Sequence, residues 1–458
     1  MIKKIRSGGI LIALLALFLS MFAVFGPGVY NDSDQYLKMH IHREPLYPLF
    51  LALLRMVFGE GWLTAMGILQ NVLAAVSIWL FADYLAKWFS LRFFEEMVVV
   101  VLGLMPHMIT KYYSALHLFM TNSVMSEAIC LPVFTLFLLA CFQVLTEEEK
   151  GKKNRAALVS LLLAFLLSLT RSQMMLTFLL WGIVVCARLL ADGKKESKKR
   201  RLFCLMAVVF IVAASFFVRT MVVKSYNYLF NGRFINNTYG TVNTLTNILY
   251  AADREDGERI RDEEARSFFY RMYDLTEERQ ANYRYAGNSW HEKVEHIEMW
   301  HDTVKYEMIE DVFYQTYDKE VTSDYITQNL MADETAGKII AGIWPGCFRQ
   351  WFINYLLIAS YGLIRSIGVV HPLLNPVTLL LYLSAIVMGI WNIRRSYKAN
   401  ERISKSAWLM GLSLLAVLAN VFAVSITIMA LSRYMIYGFS IFYTAYFLLL
   451  REEVNIYR

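Results

Sequence analysis

Residues 10–25 read ILIALLALFLSMFAVF, and residues 26–36 continue GPGVYNDSDQY. As a helix the apolar run is about 24 Å long at about 1.5 Å per residue. That approaches the hydrocarbon thickness of a bilayer, about 30 Å. Lys3, Lys4 and Arg6 precede it, as in a secretory leader. No small-x-small cleavage site follows, however, and Gly26-Pro27-Gly28 turns the chain into a polar segment, so we read the run as a retained first span. A membrane span that opens onto a short polar loop sets the frame for everything downstream.

The composition agrees. The chain of 458 residues is 57% apolar and 18% charged, against about 45–50% and about 25% for soluble globular proteins. Those values exclude a soluble enzyme, a disordered chain and a disulfide-built secreted domain. Nine further runs have spanning character: 63–85, 97–113, 124–145, 156–170, 174–190, 202–222, 373–393, 408–429 and 435–450. The pair flanking Arg171 is short, which predicts a tight hairpin with its tip just below the outer surface. The cysteines Cys130, Cys141, Cys186, Cys204 and Cys347 form no CxxC pair and read as small hydrophobes.

The net charge of +7 is unevenly spread. Residues 224–346 hold 22 acidic and 13 basic residues, a net −9, which leaves +16 on the remainder. One set of short loops holds Lys3, Lys4, Arg6, Lys87, Arg92, Lys150, Lys152, Lys153, Arg155, the cluster at 194–201, Arg394, Arg395, Lys398, Arg402 and Lys405. The opposite set offers little beyond Lys38, Arg43, Lys111 and Arg171. The basic side is therefore predicted to be cytoplasmic. Ten spans then place both termini inside and residues 27–61 and 224–346 outside. The cluster at 194–201, bracketed by spans, reads as a topology determinant on anionic lipid, and no nucleic-acid partner is expected. The expected architecture is an all-α polytopic membrane protein divided at 1–223, 224–346 and 347–458.

The external parts are predicted to be helical. The apolar stretch after Pro45 is too short to span, and proline suits a helix start, so a short helix in the outer interface is expected. The run 348–367, interrupted by Arg349 and Arg365, reads as a second interfacial helix. Within 224–346, Trp290, Trp300 and many tyrosines point to a folded piece whose rings form its core or stack on a sugar face. His291, His296 and His301 are five residues apart. Each step turns a helix by about 500°, so they diverge, unlike the step of four in a zinc protease.

Ionisable groups at or inside spans are costly and mark functional candidates. Asp32 and Asp34 lie just beyond the first span, Glu127 at the start of the fourth, Arg171 between two spans and Arg433 before the last. The topology puts all of them at the outer face. An external enzyme has no nucleotide sugar, so an activated donor must sit in the bilayer, and a polyprenyl-phosphate sugar supplies one. Arg171 or Arg433 could stabilise its departing phosphate, and Asp32 could take the acceptor's proton. Direct displacement with one carboxylate base predicts inversion. A transporter or flippase for a lipid-linked glycan, and a polysaccharide polymerase or ligase, are the rival readings.

These residues also stand in a pattern. Asp32-Ser33-x-x-Tyr36, followed by Arg43-Glu44-Pro45-Leu46-Tyr47-Pro48-Leu49, resembles the first external loop of the GT-C membrane glycosyltransferases. Within that family the loop resembles the bacterial relatives of protein O-mannosyltransferases and of lipid A aminoarabinose transferase. Ser126-Glu127 is similar to the family's Ser/Thr-Glu at the fourth span. Leu169-Thr170-Arg171-Ser172-Gln173 is similar to its Leu-Thr-Arg-Pro-Gln step, with Ser172 in place of proline, and Arg433-Tyr434 to its late Arg-Tyr. The resemblance covers about residues 27–175 and one motif near the C-terminus; the insert matches no pattern. It implies a GT-C-like fold in a bacterial plasma membrane and a lipid-linked donor used outside. The acceptor is left open among protein, lipid and cell-wall polymer. The resemblance implies Asp32 as base, with Asp34 and Glu127 as further acidic candidates, and substrate contacts from Tyr36, His42, Arg43, Tyr47, Arg171, Gln173, Arg433 and Tyr434. No cofactor is assigned, and a divalent metal stays open because the loop 113–121 lacks the second acidic residue common in that family.

Overall fold

The computed structural model describes residues 2–30, 32–112, 117, 119–192, 197–399 and 402–456, with side chains from residue 5 to residue 454. Asn31, the side chains of Lys3 and Lys4, Lys194 and Lys195 of the basic cluster, and residues 113–116 and 118 lie outside that description. Among the described residues every regular element is helical, and a single isolated bridge joins Gly28 to Ser123. In chain order the helices are α1 (Ile2–Phe25), α2 (Ser33–Leu37), α3 (Leu46–Phe58), α4 (Trp62–Trp88), α5 (Phe93–Tyr112), α6 (Glu127–Thr146), α7 (Lys150–Thr170), α8 (Leu176–Asp192) and α9 (Lys198–Asn231). They continue with α10 (Gly240–Tyr250), α11 (Glu263–Glu278), α12 (Trp290–Thr303), α13 (Asp311–Glu320), α14 (Tyr325–Ile367), α15 (Asn375–Lys398), α16 (Lys405–Ser425), α17 (Ser432–Met435) and α18 (Phe439–Ile456).

Nine helical segments among the described residues are long and apolar enough to cross a bilayer. They are Ile5–Phe25, Leu46–Trp88, Phe93–Tyr112, Glu127–Thr146, Lys150–Thr170, Ser172–Asp192, Lys198–Asn231, Asn375–Lys398 and Lys405–Ser425. The chain is an all-helical, multi-pass membrane protein. The tenth predicted run, 435–450, falls on α17 and α18, where Arg451, Glu452 and Glu453 occupy the last turns of an 18-residue helix.

Two expectations are corrected. The segments around Arg171 are not a short hairpin: each is a 21-residue helical segment, about 31 Å at about 1.5 Å per residue. Polar turns extend both beyond their apolar runs, since α7 begins at Lys150 and α8 runs to Asp192. The run 348–367 is not a separate helix but the second half of the continuous 43-residue α14, which carries Pro345 inside it. By contrast α3 is a distinct 13-residue helix starting just after Pro45. Gly59, in the left-handed region at φ 54°, ends it before α4 begins.

The chain forms two compact units. The first comprises Met1–Tyr226, Ser366–Asn420 and Ser432–Arg458; the second comprises Asn227–Arg365 and Val421–Leu431. The second therefore runs past the expected boundary at 346 and takes in the end of α16 with the short segment that follows it. In the first unit α4 packs on α1, α5 and α6, and α6 packs on α7. One end of this unit is laced by ion pairs between helix termini. Arg6 of α1 meets Glu96 of α5. Arg451 Nε of α18 lies 2.8 Å from Glu95 Oε1 of α5. Arg395 Nη1 lies 3.0 Å from Glu453 Oε2, and Lys153 Nζ lies 2.6 Å from Asp192 Oδ2.

The second unit has its own apolar core, with Phe268, Phe269, Met272, Phe313, Ile339 and Ile343 fully or nearly fully buried. Truncating one such phenylalanine to alanine costs about 3–5 kcal/mol. Asp262 caps α11 by accepting from the Ala265 amide at 2.9 Å, and Ser289 with Glu292 forms a capping box on α12. Trp300 packs on this core, whereas the half-exposed Trp290 donates to Ser360 at 2.8 Å. The three histidines diverge: His291 meets Tyr361, His296 meets the Tyr250 hydroxyl at 2.7 Å, and His301 is buried.

Candidate active site

Four chain segments converge in the first unit, and backbone hydrogen bonds hold two of them. The Gly28 amide donates to Asn122 at 2.9 Å and the Val124 amide to Gly28 at 2.8 Å. Ser33 Oγ donates to the Val124 carbonyl at 2.9 Å. The loop after α1 is thereby fastened to the segment leading into α6. Glu127 occupies the first turn of α6, where the helix dipole favours a carboxylate. Arg171 follows the last turn of α7, where it favours a cation. These two meet: Arg171 Nη1 lies 2.7 Å from Glu127 Oε1, with the Glu127 side chain 2% exposed.

Ser126, fully buried, is the hub of the site. Its hydroxyl lies 3.0 Å from the Tyr36 hydroxyl and accepts from Arg171 Nη1 at 3.3 Å. Tyr36 in turn lies beneath Arg43, whose guanidinium carbon is 4.8 Å from the ring centroid. Arg43 Nη2 donates to Asp32 Oδ1 at 2.9 Å, and its Nε donates to Gln35 at 2.7 Å. The second carboxylate oxygen of Asp32 faces Arg433 Nη1 at 3.9 Å. Arg433 Nη2 donates to the Tyr434 hydroxyl at 2.6 Å, and the Tyr434 ring has Arg433 at 4.7 Å and Arg171 at 4.8 Å. Asp32, Tyr36, Arg43, Glu127, Arg171, Arg433 and Tyr434 thus form one continuous cluster.

The remaining predicted residues support it or stand apart. His42 Nε2 lies 2.8 Å from Gln35, the amide that also holds Arg43. Tyr47 is fully buried, edge-on to Tyr36 at 5.0 Å, and donates to Gln70 at 2.9 Å. Gln173 donates to Asn420 at 2.6 Å, and Asn420 donates to the Tyr434 carbonyl at 2.7 Å, which fixes the backbone of the Arg433-Tyr434 step. Asp34 does not join the cluster. Its side chain is 58% exposed and pairs with Lys38 at 2.7 Å, one helical turn on.

Asp32 carries the decisive electrostatics. Partial burial alone would raise its carboxyl. The guanidiniums of Arg43, Arg433 and Arg171, with the Arg43 hydrogen bond, outweigh burial and hold it below the usual aspartate value. The carboxylate is therefore ionised at neutral pH. Three guanidiniums face two carboxylates, so the cluster retains one positive charge. Arg433 Nε is buried with no hydrogen-bond partner among the described residues. A surplus cation and an unmet buried donor suit an anion. Among the described residues no three His, Cys, Asp or Glu side chains stand together to hold a metal. Asp32 and Glu127 each already neutralise an arginine, so these residues do not fit a metal centre.

Sequence reasoning missed Gln70, Asn420 and Arg219. Ser126 was noted only as the neighbour of Glu127 in a motif, with no role of its own. Gln70 and Asn420 are neutral amides inside apolar runs, and a screen for ionisable groups passes over them. Arg219, inside the predicted span 202–222, should have been caught by that screen; it pairs with the buried Glu44 of the first loop. No protein-family model, curated protein or solved structure matches the chain.

Proposed function

We propose that the protein is a GT-C-type membrane glycosyltransferase that moves a sugar from a polyprenyl-phosphate carrier to an acceptor hydroxyl on the external face. The observation that carries this reading is the arrangement of Arg43, Arg171 and Arg433 around Asp32 and Glu127, with positive charge in excess. In the reaction the acceptor oxygen attacks the anomeric carbon and the bond from that carbon to the phosphate oxygen breaks. The acceptor proton passes to Asp32, and the anomeric configuration inverts. Arg171 and Arg433 stabilise the negative charge that builds on the departing polyprenyl phosphate.

The resting pairing of Asp32 makes it ionised but weakly basic. A donor phosphate competes for Arg433, whose 3.9 Å contact is the looser of the two on Asp32. Binding of the donor thereby returns basicity to the carboxylate when it is needed. The Tyr36–Ser126 pair keeps Arg43 and Arg171 at fixed separation, which limits reorganisation during the step. Charges gathered at one end of the helical unit favour transfer over transport, because transporter sites lie near the bilayer midplane.

Purified protein in liposomes, supplied with radiolabelled polyprenyl-phosphate sugars and an envelope extract as acceptor, tests the reading. Release of polyprenyl phosphate with one new glycosidic bond per turnover supports it. Labelled lipid that crosses the bilayer with its sugar bond intact contradicts it, and a ladder of products identifies a polymerase.

A further inference from the structure

The second unit contains a cleft of about 240 Å³ that the cluster around Asp32 does not use. The volume is far above the roughly 10–15 Å³ that admits one water. Arg284 and Lys293 line it together with Tyr250, Tyr283, Gln350 and Asn354, and no acidic residue contributes to the lining. That is unexpected in a segment, residues 224–346, with a net charge of −9. Arg284 is held by Asp253 at 3.3 Å and Glu277 at 3.7 Å, while Lys293 has no ion pair among the described residues. The tyrosine hydroxyls are already engaged, Tyr250 with His296 at 2.7 Å and Tyr283 with Asp253 at 2.9 Å. Their rings consequently offer the cleft apolar surface. Gln350 donates to Asn354 at 2.9 Å, and the buried Asn354 Nδ2 has no partner among the described residues.

Aromatic faces, amide donors and an uncommitted cation in one polar cleft match a hydroxyl-rich ring bearing a negative charge. We propose that this cleft binds an anionic saccharide, a pyranose carrying a carboxylate or phosphate group. Lys293 meets the charge, Gln350 and Asn354 meet hydroxyls, and the tyrosine rings pack on the sugar's C–H face. That the saccharide is the acceptor rests on the transferase reading; the binding itself does not.

Isothermal titration of the full-length protein in nanodiscs, with methyl glucuronide, glucose 6-phosphate, methyl glucoside and inorganic phosphate as probes, tests this directly. Saturable binding of either charged sugar, several-fold tighter than methyl glucoside and than phosphate, is expected; which of the two binds identifies the anionic group. Lys293→Met should weaken it about threefold to tenfold, and Gln350→Ala should weaken it for charged and neutral sugars alike. Asp32→Asn should leave binding unchanged even where transfer is lost, which separates this site from the catalytic reading. No saturable sugar binding, equal affinity for phosphate alone, or an unchanged affinity in Lys293→Met overturns the proposal.

Discussion

The two ends of the first unit are both rich in ion pairs, and they use them differently. At the basic end each pair ties one helix terminus to another, as Arg395 to Glu453 and Lys153 to Asp192, with most partners partly open to solvent. Cations and carboxylates there meet in small local sets, Asp192 taking both Lys153 and Arg188 and Arg395 facing both Glu452 and Glu453. At the other end Arg43, Arg171 and Arg433 share Asp32 and Glu127 through Tyr36, Ser126 and Tyr434. Charge here is pooled and not fully cancelled. The stitched end spends its pairs on fastening helices, whereas the pooled end has a cation and a donor to offer a ligand.

The largest effect is expected at the Arg171–Glu127 pair. Arg171→Ala strands a buried carboxylate and should cost about 3–5 kcal/mol of stability, read as a lowered unfolding temperature, and abolish transfer. Adding Glu127→Gln to it should recover much of the stability but none of the transfer. Recovery of both would reduce the pair to a structural tie like those at the opposite end. Arg43→Lys comes next. Lysine cannot contact Asp32 and Gln35 while lying flat on Tyr36, so transfer should fall about tenfold to 100-fold with the unfolding temperature little changed.

The pH dependence is a smaller and more specific effect. The folded-state value of Asp32 is depressed, so its contribution to stability is present above the unfolded value, about 3.9, and is lost only as pH falls through the lower folded value. The kcat/KM for donor, which reports the donor-free enzyme, should therefore show no acid limb from Asp32 between pH 8 and pH 5, and an inflection near pH 6 would contradict its pairing. The smallest effect belongs to the stitched end: Lys153→Ala should change stability by about 0–1 kcal/mol and leave transfer as it was.

Much of this was legible in the residues, for identifiable reasons. Hydropathy runs located the spans because burying backbone polar groups in lipid demands helices. The offset from Asp32 to Tyr36 singled out the carboxylate that joins the arginine cluster, whereas Asp34 pairs with Lys38 at the surface. Helix ends were misjudged at α7 and α8 because polar turns such as Lys150–Arg155 extend a helix without adding hydropathy. The continuity of α14 was hidden by Arg349 and Arg365, which interrupt an apolar pattern but not a helix. Asn420 and Gln70 escaped because a neutral amide in a span has no meaning until its partner is known.

The central claim is that Asp32, and not its neighbour Asp34, receives the acceptor proton. The direct measurement is sugar transfer from a labelled polyprenyl-phosphate donor in proteoliposomes, comparing Asp32→Asn with Asp34→Asn at matched expression and folding. The account predicts that Asp32→Asn abolishes transfer while Asp34→Asn, which breaks only an exposed pair with Lys38, stays close to wild type. Normal turnover in Asp32→Asn, or loss confined to Asp34→Asn, would contradict it.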